Sequence, residues 1–228
     1  MRAVRRLLRA LLVLVLLVGL LGIGVNVAMT RRLDRIEGAF DGLSGRPSPA
    51  PGQTFLMVGT RPGGSGDVPW LAGEQSAEAL MLIRVAPDRM SARVETLPEG
   101  SGVSPVVSSS PPSATVAAVE SWSGRRVDHL IAIDWTTFVR LAADNGVDPS
   151  YDYGSGPVVQ HDFLRRVMEG TLHAELRKQP RNLWRALSTT ADGTAIDDEW
   201  STLELDRLLL SLRDLRSHEI AYSVAAPG

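Results

Sequence analysis

TVAAVESWSGRRVDHLIAIDWTTFVRLAADNGV, residues 115–147, is the stretch that decides the fold. Its middle, Val127–Ile133, is almost wholly apolar, which predicts a central strand covered on both faces. Asp134 then has the residue type that caps a helix. The helix that follows carries apolar residues at the i, i+3, i+4, i+7 spacing of one buried stripe: Trp135, Phe138, Val139 and Ala142. The stretch therefore predicts a buried strand joined directly to an amphipathic helix.

The flanking sequence continues this alternation of strands and helices. Short apolar runs predict four further strands: Thr54–Gly59, Leu80–Val85, Ala92–Leu97 and Ile220–Val224. Cap signals and helical spacing predict three further helices: one from Ser110 and Pro111 to near Gly124, one over His161–Arg177, and one opened by a Ser201/Glu204 capping box. Interleaved strands and helices indicate an α/β fold, a mixed central sheet with helices on both faces.

Three stretches are typical of loops rather than of regular elements. Arg61–Gly73 is rich in Gly and Pro, Ser101–Ser113 is almost only Ser, Pro, Val and Gly, and Asp148–Pro157 joins two predicted helices. Residues 30–53 combine Arg with Gly, Pro and Ser, which predicts a linker in front of the globular domain.

The N-terminal region predicts a membrane anchor. Residues 10–25 are uninterrupted apolar residues or glycine, and the stretch reaches Met29 with Asn26 as its polar break. About 20 residues at 1.5 Å each span the hydrocarbon core of a bilayer. Four arginines precede the stretch, whereas the three that follow it stand beside acidic residues, which places residues 1–9 in the cytoplasm and residues 10–29 in the membrane. A cleaved signal peptide is the alternative, although Asn26 and Ala28 match its cleavage pattern poorly.

Composition and charge exclude several classes of function. The chain has no cysteine, so disulfides, thiolate metal sites and cysteine nucleophiles are ruled out. Seven of its 24 basic residues but one of its 26 acidic residues lie in residues 1–35, so the remainder carries a formal charge of −8. A domain of that charge without a basic face is not expected to bind nucleic acid.

Several segments match one family in order along the chain. FLMVGT at 55–60, LMLIRVAPD with RVETLP at 80–98, and the strand and helix of residues 115–147 match its opening strands, its "G-x-x-[IV]-D-H" strand and its "D-[FW]-x-x-F-x-x-L" helix. Asp128 and His129 stand at the "D-H" pair. On these segments the chain resembles the LytR-CpsA-Psr proteins of bacterial cell envelopes over roughly residues 54–226, as a divergent member.

The resemblance implies a location and a chemistry. It implies an extracytoplasmic α/β/α domain over residues 54–228, tethered by one N-terminal membrane helix. It also implies Mg²⁺-dependent transfer of a phosphate-linked glycopolymer from a polyprenyl pyrophosphate carrier to peptidoglycan. Such a reaction needs guanidinium groups to hold the pyrophosphate and carboxylates to hold the metal ion.

The motifs that would supply these groups are degenerate here. Where the family has "G-[TS]-D-x-R", Arg61 follows Gly59 and Thr60 directly and is the candidate phosphate contact. Where the family has "R-x-D-T", Ser76 replaces the arginine, and Glu78 replaces the aspartate as the candidate metal ligand. Glu99 and Gly100 replace the arginine and aspartate of "P-R-D". Arg61 as a solvated side chain and Glu78 as an ordinary polar residue remain the alternatives.

The arginine-rich segment that the family carries after its "GGV" sequence is also missing, since residues 148–161 contain no arginine. The sequence therefore leads to one main hypothesis and two alternatives. The main one is a membrane-anchored envelope protein of impaired catalysis, with an accessory or binding role in cell-wall assembly. The alternatives are an active Mg²⁺-dependent phosphotransferase with a rebuilt site, using Arg61, Glu78 and arginines from residues 165–185, and a non-catalytic module that binds lipid or partner proteins.

The topology can be tested with reporters fused after Gly228. The arginine bias predicts that an alkaline phosphatase fused there is active and a cytoplasmic β-galactosidase is not. The reverse pattern of activity would refute the predicted orientation. N-terminal sequencing of the mature chain distinguishes the anchor from a signal peptide.

Overall fold

The described part of the chain comprises residues 33–63, 67–171, 189–212 and 214–228 of a computed structural model. Within it, no helix combines the length and apolar character that crossing a membrane requires. The predicted cytoplasmic tail, residues 1–9, and membrane segment, residues 10–29, lie outside these ranges, as do residues 30–32 of the predicted linker.

The described residues form a seven-stranded mixed sheet in the order β1-β6-β5-β2-β3-β4-β7. Its strands are β1 (Asp34–Ile36), β2 (Gln53–Pro62), β3 (Gln75–Val85), β4 (Ala92–Thr96), β5 (His129–Asp134), β6 (Thr194–Asp197) and β7 (Ile220–Val224). The central β2 runs parallel to β5 and antiparallel to β3. The sheet confirms the predicted α/β class, and the apolar strand predicted at Val127–Ile133 forms β5, an interior strand beside β2.

Helices cover both faces of the sheet. They are α1 (Ser104–Val107), α2 (Pro112–Ser123), α3 (Trp135–Asp144), α4 (Pro157–Thr171) and α5 (Thr202–Ser211). Alternate residues of a strand point to opposite faces. Accordingly Leu56 and Val58 of β2 pack in the core under α1 and α2, whereas Met57 packs in the core under α3 and α4. The predicted arrangement of helices on both faces is therefore present.

The helix caps that the sequence predicted form for local reasons. The Asp134 carboxylate accepts a hydrogen bond from the Thr136 backbone N–H at 2.9 Å, and the Ser201/Glu204 capping box closes in both directions. The predicted stripe of α3 differs at one position, because Leu141 is buried while Val139 is only partly so. For α2, the residue at the cap is Pro111 rather than Ser110.

The sheet extends into the segment predicted as a linker. Asp34–Ile36 pairs in parallel with Ala195–Asp197 of β6, and Ile36 is buried in the core. Further along, the Arg46 guanidinium forms a 2.7 Å ion pair with the buried carboxylate of Glu120 in α2. A three-residue strand shows no periodicity, so composition alone assigned this segment to a linker.

Two other predicted loops contain ordered structure. Within Ser101–Ser113, Val103 at the N-cap of α1 and Val107 at its last residue are buried in the core against the sheet, whereas Val106 is half-buried. Within Arg61–Gly73, β2 continues to Pro62 and Val68 is buried. Small residues dominate the composition of these stretches and therefore predict loops, although a few apolar residues in them are buried in the core.

Trp135 gives the most direct test of this core. Its side chain is fully buried, packs edge-to-face with Phe138 and stacks on Phe163, so Trp135→Ala should lower the free energy of unfolding by about 3–5 kcal/mol. Chemical denaturation of the purified chain, followed by circular dichroism, measures the change. Leu210→Ala, on the exposed face of α5, is the control and should stay within about 0.5 kcal/mol. An equal loss in both variants would contradict the assignment of Trp135 to the core.

Candidate functional site

The candidate residues Arg61, Ser76 and Glu78 come together where β2 ends and β3 begins. Arg61 pairs directly with Ser76 in the antiparallel register of these strands. The register then shifts, since Thr60 pairs with Ala77 and Gly59 with Ala79, which leaves Glu78 as the extra residue of a β-bulge. Bulges redirect side chains and are frequent beside functional sites.

The Glu78 carboxylate is enclosed by hydrogen-bond donors. Its side chain is 1% exposed. One oxygen, Oε1, accepts hydrogen bonds from the Tyr151 hydroxyl at 2.6 Å and from the Gly154 backbone N–H at 2.8 Å. The other, Oε2, lies 3.3 Å from Nη1 of Arg61. Both oxygens are therefore engaged within the protein, and the carboxylate fastens the loop before α4 to the end of the sheet.

Arg61 is held from two sides. Besides its ion pair with Glu78, its guanidinium carbon lies 5.9 Å from the centre of the Tyr153 ring. Its side chain is 30% exposed. The sequence predicted either a phosphate contact or a solvated side chain for Arg61. The ion pair with Glu78 matches neither prediction fully.

The two tyrosines of this loop remain protonated at neutral pH. Burial raises the pKa of Tyr151, and its hydrogen bond to Glu78 raises it further. Burial also raises the pKa of Tyr153, with added contributions from the negative charges of Asp134 and Glu78. The Tyr151 hydroxyl is thus a permanent donor to the carboxylate.

A cavity of about 190 Å³ opens beside this cluster. Its lining includes Arg61, Glu78, Thr96, Glu99, Ser104 and Gln160. The Gln160 side-chain amide donates to the backbone carbonyls of Glu78 at 3.1 Å and Ser155 at 2.8 Å, which fixes its orientation. The cavity is polar, and Arg61, Glu78 and Gln160 of its lining are already held in place by these contacts.

The three positions that the sequence predicts to be degenerate have different surroundings. Ser76 is almost fully buried and its hydroxyl donates to the Gly63 carbonyl, so it holds the strand ends together rather than lining the cavity. Glu99 is exposed and lines the cavity. Gly100 is exposed beside it, and a side chain added there would meet open space. The structure thus brings Glu99, but not Ser76, to the cavity with Arg61 and Glu78.

Sequence reasoning missed Tyr151, Tyr153 and Gln160. The sequence argument for residues 148–161 rests on the arginines that they lack and does not use the YDYG sequence at 151–154. Two tyrosines followed by a glycine in a short loop were the available signal. Their partner could not be inferred, because Glu78 lies 73 residues away from Tyr151.

His129 and Asp128 lie at the opposite end of β5 from the cavity. The Asp128 carboxylate accepts a hydrogen bond from the Thr54 backbone N–H at 2.8 Å. Nδ1 of His129 lies 3.2 Å from the buried Asp197 carboxylate, and its ring stacks on Trp200 with 4.2 Å between ring centres. Both side chains fasten strands, the structural role that is usual for a polar group in a buried strand.

No metal-binding group of three or more His, Asp or Glu side chains occurs among the described residues. The candidate ligand Glu78 already has both oxygens engaged. A magnesium ion takes oxygen ligands in octahedral geometry and needs carboxylate oxygens that are free to coordinate it. The residues as they stand therefore do not fit a magnesium site centred on Glu78.

The fold is that of the LytR-CpsA-Psr proteins, which the chain resembles as its sequence predicted. The structure aligns with a LytR-Csp2A-Psr enzyme from Actinomyces oris at a TM-score of 0.56 and 16% sequence identity, covering 86% of each chain. It aligns with TagV from B. subtilis at a TM-score of 0.50 and 10% sequence identity, covering 76% of this chain and 85% of that one. For TagT bound to LI-WTA the TM-score is 0.50 and the sequence identity 11%, and the alignment covers 76% of this chain and 78% of that one. Neither a family model nor a curated protein sequence matches the chain.

Glu78→Ala tests the part that this carboxylate plays. The substitution leaves Arg61 without its partner and removes two hydrogen bonds to the loop, so the free energy of unfolding should fall by about 2–4 kcal/mol. Hydrogen exchange at the Gly154 amide should become faster. The matched control is Glu99→Ala, an exposed glutamate of the same cavity, which should change stability by less than about 0.5 kcal/mol. Unchanged exchange at Gly154 would contradict the fastening role.

Proposed function

We propose that this chain is a membrane-anchored cell-envelope protein that keeps the LytR-CpsA-Psr scaffold, is catalytically impaired, and has an accessory or binding role in cell-wall assembly. The likeness of its fold to an A. oris LytR-Csp2A-Psr enzyme supports the envelope context. The apolar segment at residues 10–29 supports the anchor, with the N-terminus in the cytoplasm and the main domain outside.

The observation that carries the proposal is the pairing of Arg61 with Glu78. Phosphoryl transfer depends on cationic groups aimed at the phosphate oxygens. Among the described residues that line the cavity, the charged side chains are one guanidinium, Arg61, and two carboxylates, Glu78 and Glu99. The guanidinium is neutralised by Glu78, and the exposed Glu99 would repel a phosphate. This charge distribution opposes pyrophosphate binding.

The same cavity suits a ligand without phosphate charge. The Ser104 hydroxyl and the Glu99 carboxylate belong to exposed residues of the lining and can exchange hydrogen bonds with the hydroxyls of a glycan. A glycan portion of a polyprenyl-linked glycopolymer is the ligand class that this chemistry favours. Other envelope-assembly proteins are the second kind of partner that an accessory role requires.

An active phosphotransferase with a rebuilt site would need several arginines to converge on the cavity. Arg165 instead forms an ion pair with Asp162 on α4, and Nη1 of Arg166 lies 3.6 Å from the Asp148 carboxylate. Neither lines the cavity. The other arginines of this hypothesis, Arg177, Arg181 and Arg185, lie outside the described residues.

A module that binds lipid tails would need an apolar groove between the sheet and its helices. On the α3 and α4 side, the rings of Trp135 and Phe163 fill that space against Met57 and Met81 of the sheet. Gly59 lies so close to Trp135 that an added Cβ would be 2.7 Å from the indole ring. This packing favours a ligand at the polar cavity over a lipid tail in the core.

The purified chain is expected to show little or no Mg²⁺-dependent turnover of a glycan linked to polyprenyl pyrophosphate. Release of polyprenyl phosphate measures the reaction, with the A. oris enzyme as the active reference. The variant Glu99→Arg, Gly100→Asp restores the residues that the resemblance implies, and it should bind the pyrophosphate more tightly than the native chain because a repulsive charge becomes attractive.

Two outcomes would change the assignment. Robust native turnover that is lost in Arg61→Ala would overturn the impaired-enzyme proposal in favour of the rebuilt phosphotransferase. Binding by neither the native chain nor the double variant would favour the partner-binding module. Mass spectrometry of molecules that co-purify with the chain from membranes separates a bound glycan from a bound protein.

A further inference from the structure

The register of the sheet shows at which end the chain enters the domain. Asp34, the first residue of β1, pairs with Ala195, which pairs in turn with Ala132 of β5. Two residues further along β5, Asp134 pairs with Thr60 at the end of β2. Leu33, the first described residue, therefore lies at the end of the sheet that carries Thr60, Arg61 and Glu78, the end with the candidate site.

The distance from this entry point to the proposed anchor is short. From Met29, the last residue of the apolar segment, to Leu33 the chain is four residues long, which spans at most about 14 Å when extended. The polar headgroup layer of a bilayer is itself roughly 5–7 Å thick on each side. If the anchor of the proposed function spans the membrane, the site end of the domain lies within reach of the lipid surface.

Three exposed apolar or aromatic side chains lie at this end. Val158 is 76% exposed, Val159 47% and Tyr153 42%. They belong to the loop before α4 and to its first turn. The hydrogen bond from the Gly154 N–H to Glu78 holds this loop against the site end of the sheet. Adjacent exposed valines contribute little to the domain's own core, and tyrosine is enriched where membranes meet water. We call Tyr153, Val158 and Val159 the apolar rim.

We propose that the apolar rim docks on the lipid surface and turns the mouth of the polar cavity towards the membrane. The proposal rests on the membrane anchor of the proposed function and deepens it, because it states from which side a lipid-linked glycan would reach the cavity. The Asp152 carboxylate is exposed in the same loop, and the Asp148 carboxylate lies 3.6 Å from Nη1 of Arg166, so the loop adds no net positive charge that would attract anionic headgroups. Docking is therefore apolar, suits zwitterionic lipid, and should be insensitive to ionic strength.

The absence of cysteine from the chain makes the test direct. Val158→Cys and Met90→Cys each introduce a single thiol for an environment-sensitive fluorophore. Met90 is also apolar and 51% exposed, but it lies in the turn between β3 and β4, at the opposite end of the sheet. Each labelled full-length chain is placed in phosphatidylcholine nanodiscs, with and without spin-labelled lipid.

The label at residue 158 should emit at shorter wavelength in nanodiscs than in detergent and lose intensity when spin-labelled lipid is present, whereas the label at residue 90 should do neither. Raising the salt concentration should leave this difference unchanged. Because the fluorophore is itself apolar, the unlabelled thiols are also compared. The thiol of the Val158→Cys variant should react more slowly with a water-soluble maleimide in nanodiscs than in detergent, and the thiol of the Met90→Cys variant should react equally fast in both.

Equal quenching and equal thiol reactivity at the two positions would overturn the docking proposal, as would quenching at residue 90 alone. Co-elution of the chain with the nanodiscs tests the anchor separately. A chain that co-elutes without quenching at residue 158 refutes the docking and leaves the anchor standing. A chain that does not co-elute refutes the anchor and, with it, the docking.

Discussion

A buried carboxylate needs compensating partners, and the site end of this domain is organised around that requirement at Glu78. The bulge in β3 sets this residue out of the regular alternation, and the partners come from two other places: Arg61 on β2, and Tyr151 with Gly154 in the loop before α4. Removing one partner of a buried charge usually costs more than the pair contributes to stability. The loop, the cavity wall and the state of Arg61 therefore depend on one another.

This dependence connects two of the positions that the sequence predicts to be degenerate, Ser76 and Glu99. A cation at position 76 would have to fit where Ser76 is almost fully buried and donates to the Gly63 carbonyl. Position 76 is a serine and position 99 a glutamate, so Arg61 is the cation among the described residues of the cavity lining, and Glu78 already pairs with it. An incoming phosphate would have to compete with a pair that is already formed. Ser76 supplies no positive charge and Glu99 adds a negative one, so both residues disfavour the binding of an anion.

The sequence could predict the features whose causes are local. The Asp134 cap, the helix that begins at Trp135 and the Ser201/Glu204 box each depend on residues within one or two turns, and all three form. The strand β1 and the contacts of Tyr151 depend instead on partners more than 70 residues away, which periodicity and composition cannot detect. The position of Glu78 in the site could be predicted from the resemblance, but its enclosure could not, since the loop that encloses it has no counterpart in the motifs.

The enclosure of Glu78 also links the cavity to the surface around it. The loop that supplies Tyr151 and Gly154 continues into the exposed valines of α4, so the bonds that neutralise the site also hold the apolar rim in place. An active site that grips pyrophosphate would need that loop to leave Glu78 free. A binding protein needs the loop fixed, because a preorganised surface loses less conformational entropy when it binds. The same contacts that argue against catalysis are therefore those that a stable binding surface requires.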